Sequence, residues 1–119
     1  MDEIEELAEV FKALSDPTRL RLVKLLGEHE GALCVNALAR MLGVTPSAVS
    51  QHLRVLRQAG LVDSKRVGSF VHYSLNQDQL RQYRARLLGT MGQDFVIVRQ
   101  VRLLSRLAAL LPHSRMQGR

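Results

Sequence analysis

Two short amphipathic stretches joined by three residues constrain this chain more than any other feature. NALARML runs up to Gly43, and PSAVSQHLRVLRQA starts at Pro46, so only Gly43, Val44 and Thr45 separate them. At 100° per residue, Val49, Leu53, Leu56 and Gly60 of the second stretch share one narrow sector, with His52 and Ala59 at its edge. That sector has to face a core. The opposite side carries Ser47, Ser50, Gln51, Arg54, Arg57 and Gln58, which offer hydroxyl, amide and guanidinium groups and not one carboxylate. A solvated helix face usually mixes both signs of charge, whereas a donor-rich face without acids suits a polyanion. Thr45 can cap this helix and Pro46 fits its first turn, so the spacing alone predicts a helix-turn-helix whose second helix runs from about Pro46 to Ala59.

The flanking sequence extends this unit on both sides. Ile4, Leu7, Ala8, Phe11 and Leu14 recur at helical spacing beneath an acidic face, which predicts a first helix. SDPTRLRLVKLLGE restarts the pattern: Ser15 or Asp16 can cap, Pro17 suits the first turn, and Leu20, Val23 and Leu26 mark the expected buried stripe. After the turn HEGA, CVNALARMLG gives a third helix carrying Val35, Leu38, Ala39 and Leu42. Downstream, LVDSKRV and FVHYSL are β-prone runs flanking Gly68 and Ser69, and they read as a hairpin. In its second strand Val71, Tyr73 and Leu75 are expected to point inward and His72 to the other face. Helix-turn-helix plus hairpin is a winged helix, so the expected fold is mostly α with a small β-hairpin. From Asn76, which can cap, the chain reads as helical to Leu111, with a break near Gly89 to Gly92 and a natural end at Pro112. Phe95, Val96, Val98, Val101, Leu104, Leu107, Ala108 and Leu111 there exceed what one face of a monomer needs.

The 119 residues are enough for one domain with a modest core and too few for two well-buried ones. We read residues 10–76 as the core of a single winged-helix domain, 1–14 and 77–112 as dimerisation helices, and 113–119 as a tail. The net charge of +6 and sequence pI near 10.4 favour a polyanionic partner. The distribution is sharper than the total. Asp2, Glu3, Glu5, Glu6, Glu9 and Asp16 crowd the start, whereas from Arg40 to Arg66 the only acid is Asp63. The lone Cys34 leaves no internal disulfide and fits a reducing compartment. No leader opens the chain and no run approaches the roughly 18 apolar residues that span a bilayer, so a cytoplasmic location without a membrane partner is expected. With no Gly-rich phosphate loop, no nucleophile beside a matched base and no close carboxylate pair, no catalytic residue is assigned.

FKALSDPTRLRLVKLL, then LARMLGVTPSAVSQHLRVLRQAGLV, then a hairpin ending in HYSL, resembles the ArsR/SmtB family of bacterial repressors in the same order, over about Val10 to Leu75. The resemblance implies a homodimer that binds double-stranded operator DNA and releases it when an inducer, often a metal ion, binds. The expected DNA contacts are Thr45, Ser47, Ser50, Gln51, Arg54 and Arg57, with Lys65 and Arg66 on the wing. Arg can bond guanine bidentately and Gln adenine, while Ser and Thr take phosphates or base edges; the helix start at Thr45 and Ser47 adds backbone N–H groups for a phosphate. In the resembled family the first and last helices form the dimer interface. Glu5, Glu6 and Glu9 in the first, and Arg99, Arg102 and Arg106 in the last, are then expected around an apolar seam of Val98, Val101, Leu104 and Leu107.

Sensing departs from the resembled pattern. Where thiophilic-metal sensors of that family carry Cys-x-Cys before the recognition helix, this chain has Cys34 and Asn36. A thiolate with a carboxamide makes a poor soft-metal site. The family's other site uses Asp, His and Glu along the last helix, and here only Asp94 and His113 remain. No cofactor is therefore assigned, with a metal at Cys34, shared between two subunits, kept as an alternative. Two other readings stay open: a winged-helix protein-interaction module that does not bind DNA, and a redox-responsive regulator using Cys34. His52, at the edge of the apolar sector, is read as a hydrogen-bonded structural residue rather than a ligand.

Overall fold

The computed structural model describes residues 1–92 and 94–110, with residues 94–101 as backbone only. The elements run α1 (Glu3–Leu14), α2 (Pro17–Glu28), β1 (Leu33–Cys34), α3 (Val35–Leu42), α4 (Pro46–Gln58), β2 (Val62–Val67), β3 (Phe70–Leu75), α5 (Gln77–Thr90) and α6 (Asp94–Ala109). They fall into two compact units, Met1–Tyr83 and Arg84–Arg119. The anticipated interruption of the last helical stretch falls at Met91 and Gly92, between α5 and α6. The expected side-chain roles of Phe95, Val96, Val98, Arg99 and Val101, and everything read at Leu111, Pro112, His113 and the tail, lie outside the described residues.

Helix starts in the first unit follow one rule, except that of α3, where Cys34 makes no side-chain cap bond. A free backbone N–H in the first turn is taken by the side-chain oxygen of the residue before the helix. Asp2 accepts from Glu5 N–H at 2.8 Å, Asp16 from Arg19 N–H at 3.1 Å, and Thr45 from Ala48 N–H at 3.1 Å. Asn76 does the same for α5, accepting from Gln79 N–H at 3.0 Å. The stops of α3 and α4 are alike too. Gly43 (φ 68°) and Gly60 (φ 77°) take the left-handed conformation that ends a helix. Val44 N–H then returns to Ala39 O at 3.1 Å, and Leu61 N–H to Leu56 O at 3.0 Å.

The core of the first unit is built from Leu7, Val10 and Ala13 of α1, Leu22 and Leu26 of α2, Leu38 and Ala39 of α3, and Val49, Leu53 and Leu56 of α4. Leu61, Val62 and Tyr83 close it. Two expected stripes are displaced. In α1 the inward row is Leu7, Val10 and Ala13, while Ile4 and Phe11 stay 59% and 44% exposed and Ala8 is exposed as well. The apolar arc of α1 is wider than the core it meets, and the core takes the half that faces α2 and α4. In α2 the row is Leu22 and Leu26, one turn apart, facing α4 and β3; Leu20 is half exposed and Val23 only half buried. A single sequence shows the width of an apolar arc better than its bearing.

The hairpin is part of a three-stranded antiparallel sheet of order β1-β3-β2. β2 and β3 pair from Val62↔Leu75 to Val67↔Phe70 around the turn Gly68–Ser69. β1 adds Leu33↔Tyr73 and Cys34↔His72. Two residues are too few to register as an alternating pattern; the sequence places Cys34 at the start of the third helix and gives Leu33 no element. Strand pairing sets Val71, Tyr73 and Leu75 on one face and His72 on the other. All four are half buried, however, because β3 is the central strand, so Val71, Tyr73 and Leu75 are not fully enclosed core residues.

The corrected α2 stripe is open to a direct check. Leu22→Ala, which empties a fully buried position, should lower unfolding stability by about 2–5 kcal/mol. Leu20→Ala should cost about 1 kcal/mol or less in urea denaturation. Comparable losses would restore the stripe expected from periodicity.

Candidate nucleic-acid interface

The interface starts from what α4 buries. Val49, Leu53 and Leu56 have no exposed surface, which fixes the rotation of the helix about its axis. Ser47, Ser50, Gln51, Arg54, Arg57 and Gln58 are consequently all exposed. Thr45 is exposed too; its hydroxyl oxygen accepts from the Ala48 N–H, which leaves its O–H free to donate beside the helix start.

The wing is tied to this helix. Arg57 Nη1 donates to Ser64 Oγ of β2 at 3.0 Å, a bond that the spacing of residues along α4 does not announce. Arg57 therefore braces the wing while its other N–H groups remain available. Lys65 and Arg66 follow on β2, both exposed, and the strand places them on opposite faces of the hairpin. The far end of α4 is held by Tyr83, whose hydroxyl donates to Ala59 O at 3.0 Å and receives Gln79 Nε2 at 3.2 Å. A Cβ at Gly60 would sit 3.4 Å from both that hydroxyl and the Gln79 amide, so the turn after α4 is packed closely.

A polar cluster on the other side of α4 was only partly foreseen. The His52 imidazole Nδ1 lies 3.3 Å from Arg19 Nη1 and 3.9 Å from Asp16 Oδ2. Arg19 also donates through Nε to Ala13 O at 2.5 Å and through Nη2 to Lys12 O at 3.4 Å, capturing carbonyls of the last turn of α1. His52 is thus hydrogen-bonded and structural, as its place at the sector edge suggested. Its partners had only the Asp16-Pro17-Thr18-Arg19 run to announce them. Asp16, with its side chain 33% exposed, is held below the ordinary carboxylate range. The main cause is the Arg19 backbone N–H it accepts; partial burial works against the shift, and charge on His52 and Arg19 adds to it.

Cys34 is a free, half-buried thiol at the junction of β1 and α3, and Asn36 is exposed. One thiolate and one carboxamide do not make the donor set of a soft-metal site. Among the described residues no group of three or more His, Cys, Asp or Glu side chains is placed to hold a metal ion.

Residues 16–64 match the family described as "Bacterial regulatory protein, arsR family". The transcriptional repressor SmtB homolog of Synechocystis sp. is 49% identical over 75 residues, or 63% of this chain and 55% of that repressor; the match spans little more than half the repressor's length. An ArsR-like transcriptional regulator from Rhodococcus sp. RHA1 superimposes with a TM-score of 0.66 at 32% identity, covering 88% of this chain and 94% of that one. The chain belongs to the ArsR family. A homodimeric winged helix-turn-helix DNA-binding domain from Mycobacterium bovis, a possible member of the same family, gives a TM-score of 0.61 at 28% identity over 73% of this chain and 80% of that one. This ArsR-family chain accordingly shares the winged helix-turn-helix fold with these structures.

Asp16 supplies a pH test of the cluster. Its folded value lies below its unfolded one, so it contributes stability that is present above the unfolded carboxylate value of about 3.9 and lost as pH falls through the lowered folded value. Asp16→Asn keeps a capping oxygen but cannot titrate. Thermal unfolding followed below about pH 4 should show a shallower loss of stability in the variant than in the wild type. Parallel acid limbs would mean that the carboxylate gains nothing from this site.

Proposed function

We propose that the chain is a homodimeric repressor. Each protomer lays its recognition helix α4 in a major groove of a two-fold symmetric operator, with the wing beside it, and an inducer releases the pair. The observation that carries this reading is the acid-free exposed face of α4, set rigidly over a fully buried stripe and continued by Lys65 and Arg66. Arg54, Gln51 and Ser50 are the groups suited to base edges; Ser47, the helix start, Lys65 and Arg66 suit phosphates.

Dimerisation is supported by apolar surface that a lone protomer leaves in water. Ile4 and Phe11 on α1, and Leu103, Leu104 and Leu107 on α6, are each 44–64% exposed. Two copies burying such faces would give the two-fold arrangement that a pair of half-sites about 34 Å apart requires. No described helix is long and apolar enough to cross a membrane, and a reduced Cys34 fits the cytoplasmic site of action proposed for such a regulator. For induction, the donor set at Cys34 and Asn36 favours thiol oxidation or a small organic ligand over a soft metal held within one protomer.

A mobility-shift titration on the DNA upstream of the chain's own coding region tests the central part. Arg54→Ala should weaken binding by about 1–3 kcal/mol, and Lys65→Ala should lower the salt slope by about one unit while affecting all sequences alike. Wild-type behaviour in both variants would remove α4 and the wing from the interface.

The seam has its own test. Leu104→Asp with Leu107→Asp should convert the dimer to a monomer in sedimentation and abolish operator binding, since one half-site alone has little affinity. A double variant that still sediments as a dimer would take α6 out of the interface.

A further inference from the structure

The cluster of Asp16, Arg19 and His52 joins three helices, and nothing in the proposed DNA contact uses it. Arg19 stands at the head of α2. Through Nε it holds the Ala13 carbonyl at the end of α1, and through Nη2 it shares the Lys12 carbonyl with the Ser15 N–H and hydroxyl. Through Nη1 it meets His52 on α4. The guanidinium is thus the polar link between α1 and α4, and His52 is the point where α4 receives it. His52 adjoins Gln51 and lies two residues from both Ser50 and Arg54, the three groups assigned above to base edges. A shift at His52 is a shift at the reading face.

We propose that His52 is a positioning residue for DNA binding: in its neutral form it accepts the Arg19 hydrogen bond that sets α4 against α1, and on protonation it gives that bond up. The proposal rests on the DNA-binding reading above. In the state proposed to accept from the guanidinium, Nδ1 carries no proton and the ring is the Nε2–H tautomer. Adding a proton at Nδ1 sets an N–H against the guanidinium N–H groups and a positive charge 3.3 Å from another. The nearest acceptor is then Asp16 Oδ2, 3.9 Å from the same nitrogen. The imidazolium therefore turns from Arg19 to Asp16, and α4 becomes anchored to the cap of α2 in place of the end of α1.

Asp16, the cap of α2, and Arg19, in its first turn, are the charged groups that reach the ring among the described residues. α1 contributes the Lys12 and Ala13 carbonyls through Arg19. Among the described residues, α3 and β2, which also pack on α4, bring no charged side chain into a hydrogen bond or ion pair with the ring.

Two measurements test this, one without DNA. In the free protein, nitrogen NMR should show the Arg19 Nη–H signals moving with the His52 ring as pH is lowered from about 8 to 5, and staying still in His52→Gln. An Arg19 signal indifferent to the titration of His52 overturns the proposal whether or not the chain binds DNA. On operator DNA, wild-type affinity should fall about fivefold across that range relative to His52→Gln, the equivalent of one ordinary hydrogen bond. The glutamine carbonyl can accept from Arg19 and does not titrate, so this variant should bind like the wild type at pH 8. Arg19→Lys, which cannot span three partners, should bind more weakly at pH 8 and show a flattened profile, with its melting curve confirming that it folds. Parallel pH profiles for wild type and His52→Gln contradict the proposal. Failure of every variant and of the wild type to bind the promoter would instead strike at the DNA-binding reading, leaving the NMR result to decide the role of His52.

Discussion

Everything that this chain presents to a partner depends on the burial of Val49, Leu53 and Leu56 against the first unit's core. Burying a side chain of this size contributes about 1.5–3 kcal/mol, far more than any single surface contact. Turning α4 about its axis would forfeit that burial, so the helix has one rotational setting. The setting alone determines that Ser50, Gln51 and Arg54 face outward together. The Gly60 turn and the Tyr83 hydroxyl fix where the helix stops, and the Arg57–Ser64 bond carries the same orientation into the wing. The base-reading role proposed for this face needs groups held to within fractions of an ångström, and a dry apolar stripe holds them.

Charge and apolar surface are distributed along the chain for separate purposes. Acids gather on α1, where Asp2 also caps the helix, and they are nearly absent from α4 to the wing tip. The apolar arc of α1 is divided between the core, through Leu7, Val10 and Ala13, and solvent, through Ile4 and Phe11. α1 is thus a helix with two apolar obligations, one met inside the protomer and one left for a second copy in the proposed dimer. Arg19 grips its last turn and His52 at once, so a change in the seating of α1 has a direct polar route to α4.

How much of this was legible in sequence follows from the range of each interaction. The helix-turn-helix could be read because its determinants are local: Thr45 before Pro46, Gly43 between two apolar periods, an acid-free face at fixed spacing. The hairpin was legible from β-prone runs around Gly68 and Ser69. The bearing of α1 and α2 was not, since Ile4 and Leu20 are as apolar as Leu7 and Leu22, and only the packing of other elements separates them. β1 was missed because two residues carry no period. The Arg57–Ser64 bond spans the turn from helix to strand, and Arg19–His52 joins residues 33 apart, so neither leaves a mark on local spacing. At the candidate site the outward donors were thus readable, while the bonds that orient them were not.

The most direct test of the central claim, that the buried stripe aims one face of α4 at DNA, is backbone and side-chain chemical-shift mapping of the protein titrated with its promoter duplex. The account predicts the largest changes at Ser47, Ser50, Gln51 and Arg54, with a second group at Lys65 and Arg66 and small changes at Val49, Leu53 and Leu56. Changes centred on another surface, with the α4 donors unaffected at saturating DNA, would contradict it.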